Sequence, residues 1–164
     1  MGEKGFTLVE LIIAIAIMII MAAIAVPNFQ STMARMRLNG AARQVMTDLM
    51  AARMRAVTLN ARVKVAFPTI STGTQYTVYF DSNRDGTVAG TVLSNGTVSS
   101  PESAATVKNI QTEYKGVNVR TNNYHIFLPD GTATGLPTVT IASATGTKCV
   151  TVSIAGRVAI VTCP

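Results

Sequence analysis

Residues 8–26 read LVELIIAIAIMIIMAAIAV, nineteen residues interrupted only by Glu10, and this stretch decides the architecture. At about 1.5 Å per residue it makes a helix about 28 Å long, close to the hydrocarbon thickness of a bilayer. It is long enough to cross a membrane. A cleaved secretory signal is the competing reading, with Ala23-Ile24-Ala25 imitating a cleavage site. Such signals usually carry a shorter apolar region, about 7 to 15 residues, behind a longer basic stretch. An ionised carboxylate at the edge of an apolar span costs a few kcal/mol unless paired, which makes Glu10 a functional candidate. The alternative is that its side chain reaches back to the headgroups.

Outward from this span the pattern changes twice. Pro27 has no N–H and its ring clashes with the preceding turn, so it is expected to bend or locally open the helix. Beyond it, Leu38, Ala42, Val45, Leu49, Ala52, Ala56 and Leu59 follow at alternating spacings of four and three, one apolar stripe of a helix. Met46, Met50 and Val57 are expected to widen the stripe. Arg37, Asp48, Arg55 and Arg62 fall on roughly the opposite side at 100° per residue. This half is therefore amphipathic and should lie on the protein's own sheet.

After Asn60 the sequence turns to Thr, Val, Gly and Ser. Short alternating runs at Val63 to Phe67, Tyr76 to Phe80, Val117 to Arg120, Tyr124 to Leu128, Thr138 to Ile141 and Val150 to Ile154 predict antiparallel strands joined by turns. Residues 81 to 109 hold few bulky apolar groups and read as an extended loop with a weak strand at Thr91 to Leu93. The fold expected is α+β: a long N-terminal helix packed on an antiparallel, β-rich C-terminal head.

Composition narrows the function. The chain has 164 residues, 13% charged, with no Trp, one His and two Cys, so a multi-ligand zinc site or a His-based triad has almost no raw material. His125 has no acid or thiol near it in sequence and reads as structural. No nucleophile with a neighbouring base can be assembled, and no enzyme is expected. The formal net charge is +6, and residues 1–64 hold eight Lys and Arg against three Asp and Glu. Three readings of that basicity compete, a face meeting the phosphate of nucleic acid or lipid headgroups, positive-inside topology, and the solvated side of a helix, and the last is the default.

The leader carries a more specific message. Gly5-Phe6-Thr7-Leu8-Val9-Glu10 follows a short segment with Lys4 and abuts the apolar span. Here the sequence resembles the type IV pilin-like family, which includes the pseudopilins of type II secretion. The resemblance implies cleavage after Gly5 by a prepilin peptidase and methylation of the new N-terminus at Phe6. It also implies pairing of the Glu10 carboxylate with the Phe6 amine of a neighbouring subunit, relieving the cost of an isolated charge in hydrocarbon. Pro27 matches a family proline that often marks a segment able to lose helicity on assembly. Pro27-Asn28-Phe29, Arg53-Met54-Arg55-Ala56, the Tyr79 to Gly86 turn and Gly156-Arg157-Val158 resemble the GspH/FimT subfamily of minor pseudopilins and minor pilins. The implied organisation is a leader at 1–5, a helix at 6–60 with its span at 8–26, and a head at 61–164. The implied setting is the inner membrane with the head in the periplasm, then a filament of pilins or pseudopilins built by an assembly platform. Before assembly the partner of the span is lipid.

Three smaller signals remain. A hairpin with Ala155-Gly156-Arg157 as its loop would place Cys149 opposite Cys163, giving a cross-strand disulfide of the kind an oxidising compartment permits; two unrelated buried thiols are the alternative. Asp81, Asn83, Asp85 and Gly86 match positions one, three, five and six of a calcium loop, but the twelfth position is Val92 rather than a bidentate Glu. A turn built from Asx side chains is expected there, calcium being the alternative and otherwise no cofactor. Some FimT-like minor pilins bind DNA through a C-terminal Gly-Arg motif; Gly156-Arg157 is present, but Ala159 stands where a second Arg is often found.

Overall fold

The computed structural model describes residues 6–69, 73–81, 88, 91–92, 98–99, 106–121 and 123–163. One helix, α1 (Leu8–Leu59), runs through both sequence patterns without interruption, Pro27 included. Because Pro27 offers no N–H, the carbonyl of Ala23 four residues earlier loses its helical donor. Thr7 caps the start: its Oγ1 accepts the Glu10 N–H at 3.3 Å. The end is set by Asn60, which adopts the left-handed conformation at φ 48°. Its N–H reaches the Val57 carbonyl while the Ala61 N–H reaches that of Ala56, satisfying carbonyls the helix leaves bare.

Among the described residues, two larger antiparallel sheets make up most of the head. The first has the spatial order β5 (Thr106–Asn109), β2 (Gln75–Phe80), β1 (Val63–Ala66), β7 (Tyr124–Phe127) and β8 (Ala133–Thr134). The second has the order β11 (Val158–Val161), β10 (Gly146–Val152), β9 (Val139–Ser143) and β6 (Asn118–Arg120). A separate pair joins β3 (Thr91–Val92) to β4 (Val98–Ser99). The sheets touch at two seams. The Val119 and Thr121 N–H groups donate to Gly73 and Pro68, and the Ala133 N–H donates to Ile154. The upper half of α1 lies against both sheets, and its Leu38, Ala42, Val45, Leu49, Ala52 and Ala56 share one core with Val63, Val65, Phe127, Ile141 and Val150.

The expected strands are present with ends shifted by at most four residues; β4 and β8 are strands the sequence reading does not expect, and the expectation fails at further places. Thr106–Asn109, at the end of the expected loop, pairs with β2; its residues are largely exposed on an edge, so they carry no alternation to read. Met50 and Val57 stay exposed because at 100° per residue they lie well outside the arc that the two sheets cover, and Leu59, though on the buried side, stays exposed because it is the last residue of the helix, beyond Ala56, the last buried one. Asp48, expected on the polar side, is buried. In the C-terminal hairpin Cys149 stands opposite Val161, not Cys163. The turn there is Ile154-Ala155-Gly156, since Ser153 and Arg157 bond to each other and Gly156 takes the left-handed position at φ 72°. Glycine fits the last place of a three-residue turn with a bulge, which moves the centre of the hairpin back by one residue.

Candidate functional site

The N-terminal segment is built as a bare rod. Phe6 is 82% exposed, and none of the apolar span is buried against the rest of the chain. A helix this apolar is stable in water only when something covers it. Glu10 sits in its first turn, with Thr7 Oγ1 3.5 Å from its Oε2, and among the described residues no cation pairs with it. Gly5 lies outside the described residues. Phe6, Thr7 and Glu10 thus occupy the free end of a rod that the head does not touch.

At the other end the helix is clasped to the head. The Arg53 guanidinium donates to the Gly131 carbonyl at 2.8 Å and to the Ala155 carbonyl at 3.2 Å, one from each sheet's turn. Gly156 is required for this closeness: a Cβ there would stand 2.2 Å from the Gly131 oxygen and 2.6 Å from Arg53 Nε. The conformation and the space both call for glycine. Midway, the Asp48 carboxylate accepts from the Tyr76 hydroxyl, from Lys108 Nζ and from Gln44 Nε2, tying α1 to β2 and to the edge strand β5. Burial and the Asp48 charge push the Tyr76 hydroxyl far above its ordinary range. Sequence reading missed both contacts. At 100° per residue Asp48 lies about 70° from the centre of the stripe, on its flank and not opposite it as expected above, and that was the only signal.

The remaining predicted residues are placed as follows. Cys149 and Cys163 are joined in a disulfide, diagonal to the observed register. Arg157 is exposed, with its own N–H bonded to Ser153 Oγ. Asp81 is buried and its N–H donates to the Arg62 carbonyl; Asn83 and Asp85 lie outside the described residues, as does Gly86. Among the described residues no three His, Cys, Asp or Glu side chains gather as a metal site. His125 is fully buried, edge-on to Phe67, and desolvation lowers its pKa to about 4.

Comparison with known proteins places this arrangement. The family model for the type II transport protein GspH matches residues 41–156, and that for the prokaryotic N-terminal methylation motif matches residues 1–26. The crystal structure of the type IV minor pilin FimU of Pseudomonas aeruginosa is similar in fold. Identity is 17%, with 78% of this chain and 90% of that one covered at a TM-score of 0.52. The minor pseudopilin EpsH of the type 2 secretion system of Vibrio cholerae aligns at 10% identity over 76% of this chain and 96% of its own, at a TM-score of 0.49. No curated protein matches.

Proposed function

The chain belongs to the GspH family of type II transport proteins and is a structural subunit of a type IV pilus or a type II secretion pseudopilus; we propose that it enters the filament as a minor subunit, at the tip or during priming. The carrying observation is the bare apolar rod, which begins within the segment, residues 1–26, that matches the methylation motif. A helix that the head leaves uncovered is anchored in a membrane and then covered by the helices of other pilins or pseudopilins. Family and fold alike are those of structural subunits, not enzymes.

In this reading a prepilin peptidase cuts after Gly5, discards the leader at 1–5 and methylates Phe6. The helix of 6–60 then sits in the inner membrane through residues 8–26, with the head of 61–164 in the periplasm, until an assembly platform lifts it out. Glu10 provides the register: its carboxylate, with no cation on its own chain to pair with among the described residues, meets the Phe6 amine of a neighbour. Pro27 provides a point where the helix gives way, since one hydrogen bond is already missing there. Intact mass and N-terminal sequencing of protein recovered from a host with the peptidase test the reading. Methylated Phe6 as the first residue is the expected result, while an uncut Met1 or a cut near Ala25 would overturn it. Glu10→Ala is expected to abolish assembly while leaving cleavage intact.

DNA binding gains no support. Arg157 is one exposed cation on a turn whose glycine already serves the Arg53 clasp, and a single phosphate contact carries little affinity. Calcium at Asp81 is likewise without a supporting observation, and unchanged melting in EDTA against millimolar calcium is expected.

A further inference from the structure

Where the two sheets meet beside β6, the head holds a cleft of about 390 Å3 lined by Thr69, Arg120, Thr121, Pro137, Thr138 and Thr140. Its position follows from the seam. The Thr121 N–H donates to the Pro68 carbonyl, which brings Thr69, just beyond β1, alongside the end of β6. Thr140 is the register partner of Arg120 across the β6–β9 pair. Their strand neighbours Val119 and Ile141 share the core with α1, so by alternation Arg120 and Thr140 project from the opposite face. The cleft therefore opens on a side of the head turned away from the helix.

Two of its groups lack partners. Arg120 is exposed, and among the described residues its guanidinium makes no hydrogen bond, ion pair or ring contact. Thr121 is buried at 5% exposure, and its Oγ1 has no partner. A buried hydroxyl in that state destabilises the fold, and native structures seldom keep one without a reason. Because Thr121 lines the cleft, a rotation about its χ1 can offer the hydroxyl to an acceptor placed there. Thr140 Oγ1 has only the Cys149 sulfur, at 3.8 Å, which is a weak partner.

The lining thus presents one cation, four hydroxyls and, among the described residues, no carboxylate. Such a donor set calls for an anion. A lone guanidinium matches a single charge, and its planar fork fits the two oxygens of a carboxylate. Nucleic acid is a poor match, because a strand charged at every phosphate is held by several cations together. Size adds to this. A water molecule occupies about 30 Å3 of the liquid, so the cleft has room for the body of an organic acid, or the end of a peptide, behind the carboxylate itself. We propose that the cleft is a binding site for a monocarboxylate, with Arg120 gripping the carboxylate and the Thr121 hydroxyl, turned toward it, donating a hydrogen bond. The site does not depend on the filament reading or on cleavage after Gly5.

The test follows the NMR amide signals of the isotope-labelled full-length chain in detergent micelles as four probes are added: N-acetyl-trialanine, its C-terminally amidated form, acetate and dimethyl phosphate. The free tripeptide carboxylate is expected to move the Arg120, Thr138 and Thr140 signals to saturation, and the amidated form to bind about tenfold more weakly or worse. Arg120→Gln should weaken binding by about the same factor with unchanged melting, since that side chain has no partner to lose. Thr121→Val should weaken binding several-fold, again without lowering the melting temperature, which a merely structural hydroxyl would not do. Acetate binding as tightly as the tripeptide supports the site with a small organic acid as its ligand, whereas a much tighter tripeptide supports it with the end of a polypeptide. No saturable shift with either carboxylate would overturn the proposal. So would equal binding of the amidated form, equal or tighter binding of dimethyl phosphate, or binding that both substitutions leave unchanged.

Discussion

Asp48 shows how one side chain converts packing into specificity. A carboxylate held at 7% exposure is tolerable only because Lys108, Tyr76 and Gln44 all donate to it. Lys108→Met leaves the buried charge with neutral donors alone and is expected to cost about 2–3 kcal/mol. Asp48→Asn keeps an acceptor for Tyr76, while Lys108, 39% exposed, can turn to water. Its cost should be the smaller of the two, and urea unfolding of the full chain in detergent at pH 7 compares them. The reverse order would mean that the carboxylate is not desolvated. His125 is a second case, with a sign that pH reveals. Burial lowers its folded pKa to about 4, below the unfolded value of about 6.5, so between these pH values the unfolded chain binds the extra proton. Stability is therefore expected to fall as pH drops from about 6.5 to 4, by an amount on the order of 3 kcal/mol. His125→Leu should flatten that slope, and a slope that survives the substitution would assign it to other groups.

At the scale of elements, the C-terminal hairpin is where covalent and steric constraints meet. The disulfide spans a sequence separation of 14, and closing a loop of about that size stabilises by about 3 kcal/mol in the chain-entropy model. Reduction should lower the melting temperature and release the amides of β11 to exchange before those of β10, which pairs on both edges. Loss of protection in β10 first would contradict that order. Gly156→Ala strains the same hairpin from its other end, at φ 72° and against the Gly131 carbonyl, and should cost about 2 kcal/mol or more. What the sequence disclosed here follows from which physics leaves a mark. The helix was legible twice over, by its apolar run and by its stripe, and the two cysteines suggested their bond. Thr106–Asn109 was not legible because an exposed edge strand has no buried face to alternate with. The register was misplaced by two because the left-handed position of Gly156, not the midpoint between cysteines, centres the turn. Asp48 was misassigned because its partners come from β2 and β5, elements remote in sequence.

For the whole molecule, the division of labour along α1 is the controlling feature. A helix of 52 residues is about 78 Å long, and its buried residues begin only at Leu38. The lower thirty residues contribute nothing to the core, so the head's stability has to come from the upper half and the two sheets it holds together. Assembly and folding are then separable: the rod can leave lipid and enter a filament without reorganising the head. Deleting residues 1–28 tests this directly. The shortened chain keeps every helical residue of the core, from Leu38 to Ala56, as well as the Arg53 clasp and the Asp48 cluster. Its melting temperature should therefore lie within about 2 °C of the full chain in detergent, corresponding to less than roughly 0.5 kcal/mol. It should also lose partition into vesicles, because the apolar area that drives insertion has gone. A drop of about 10 °C or more would show that the rod packs against the head after all, and the anchor could not then be withdrawn from the membrane without loosening the domain it carries.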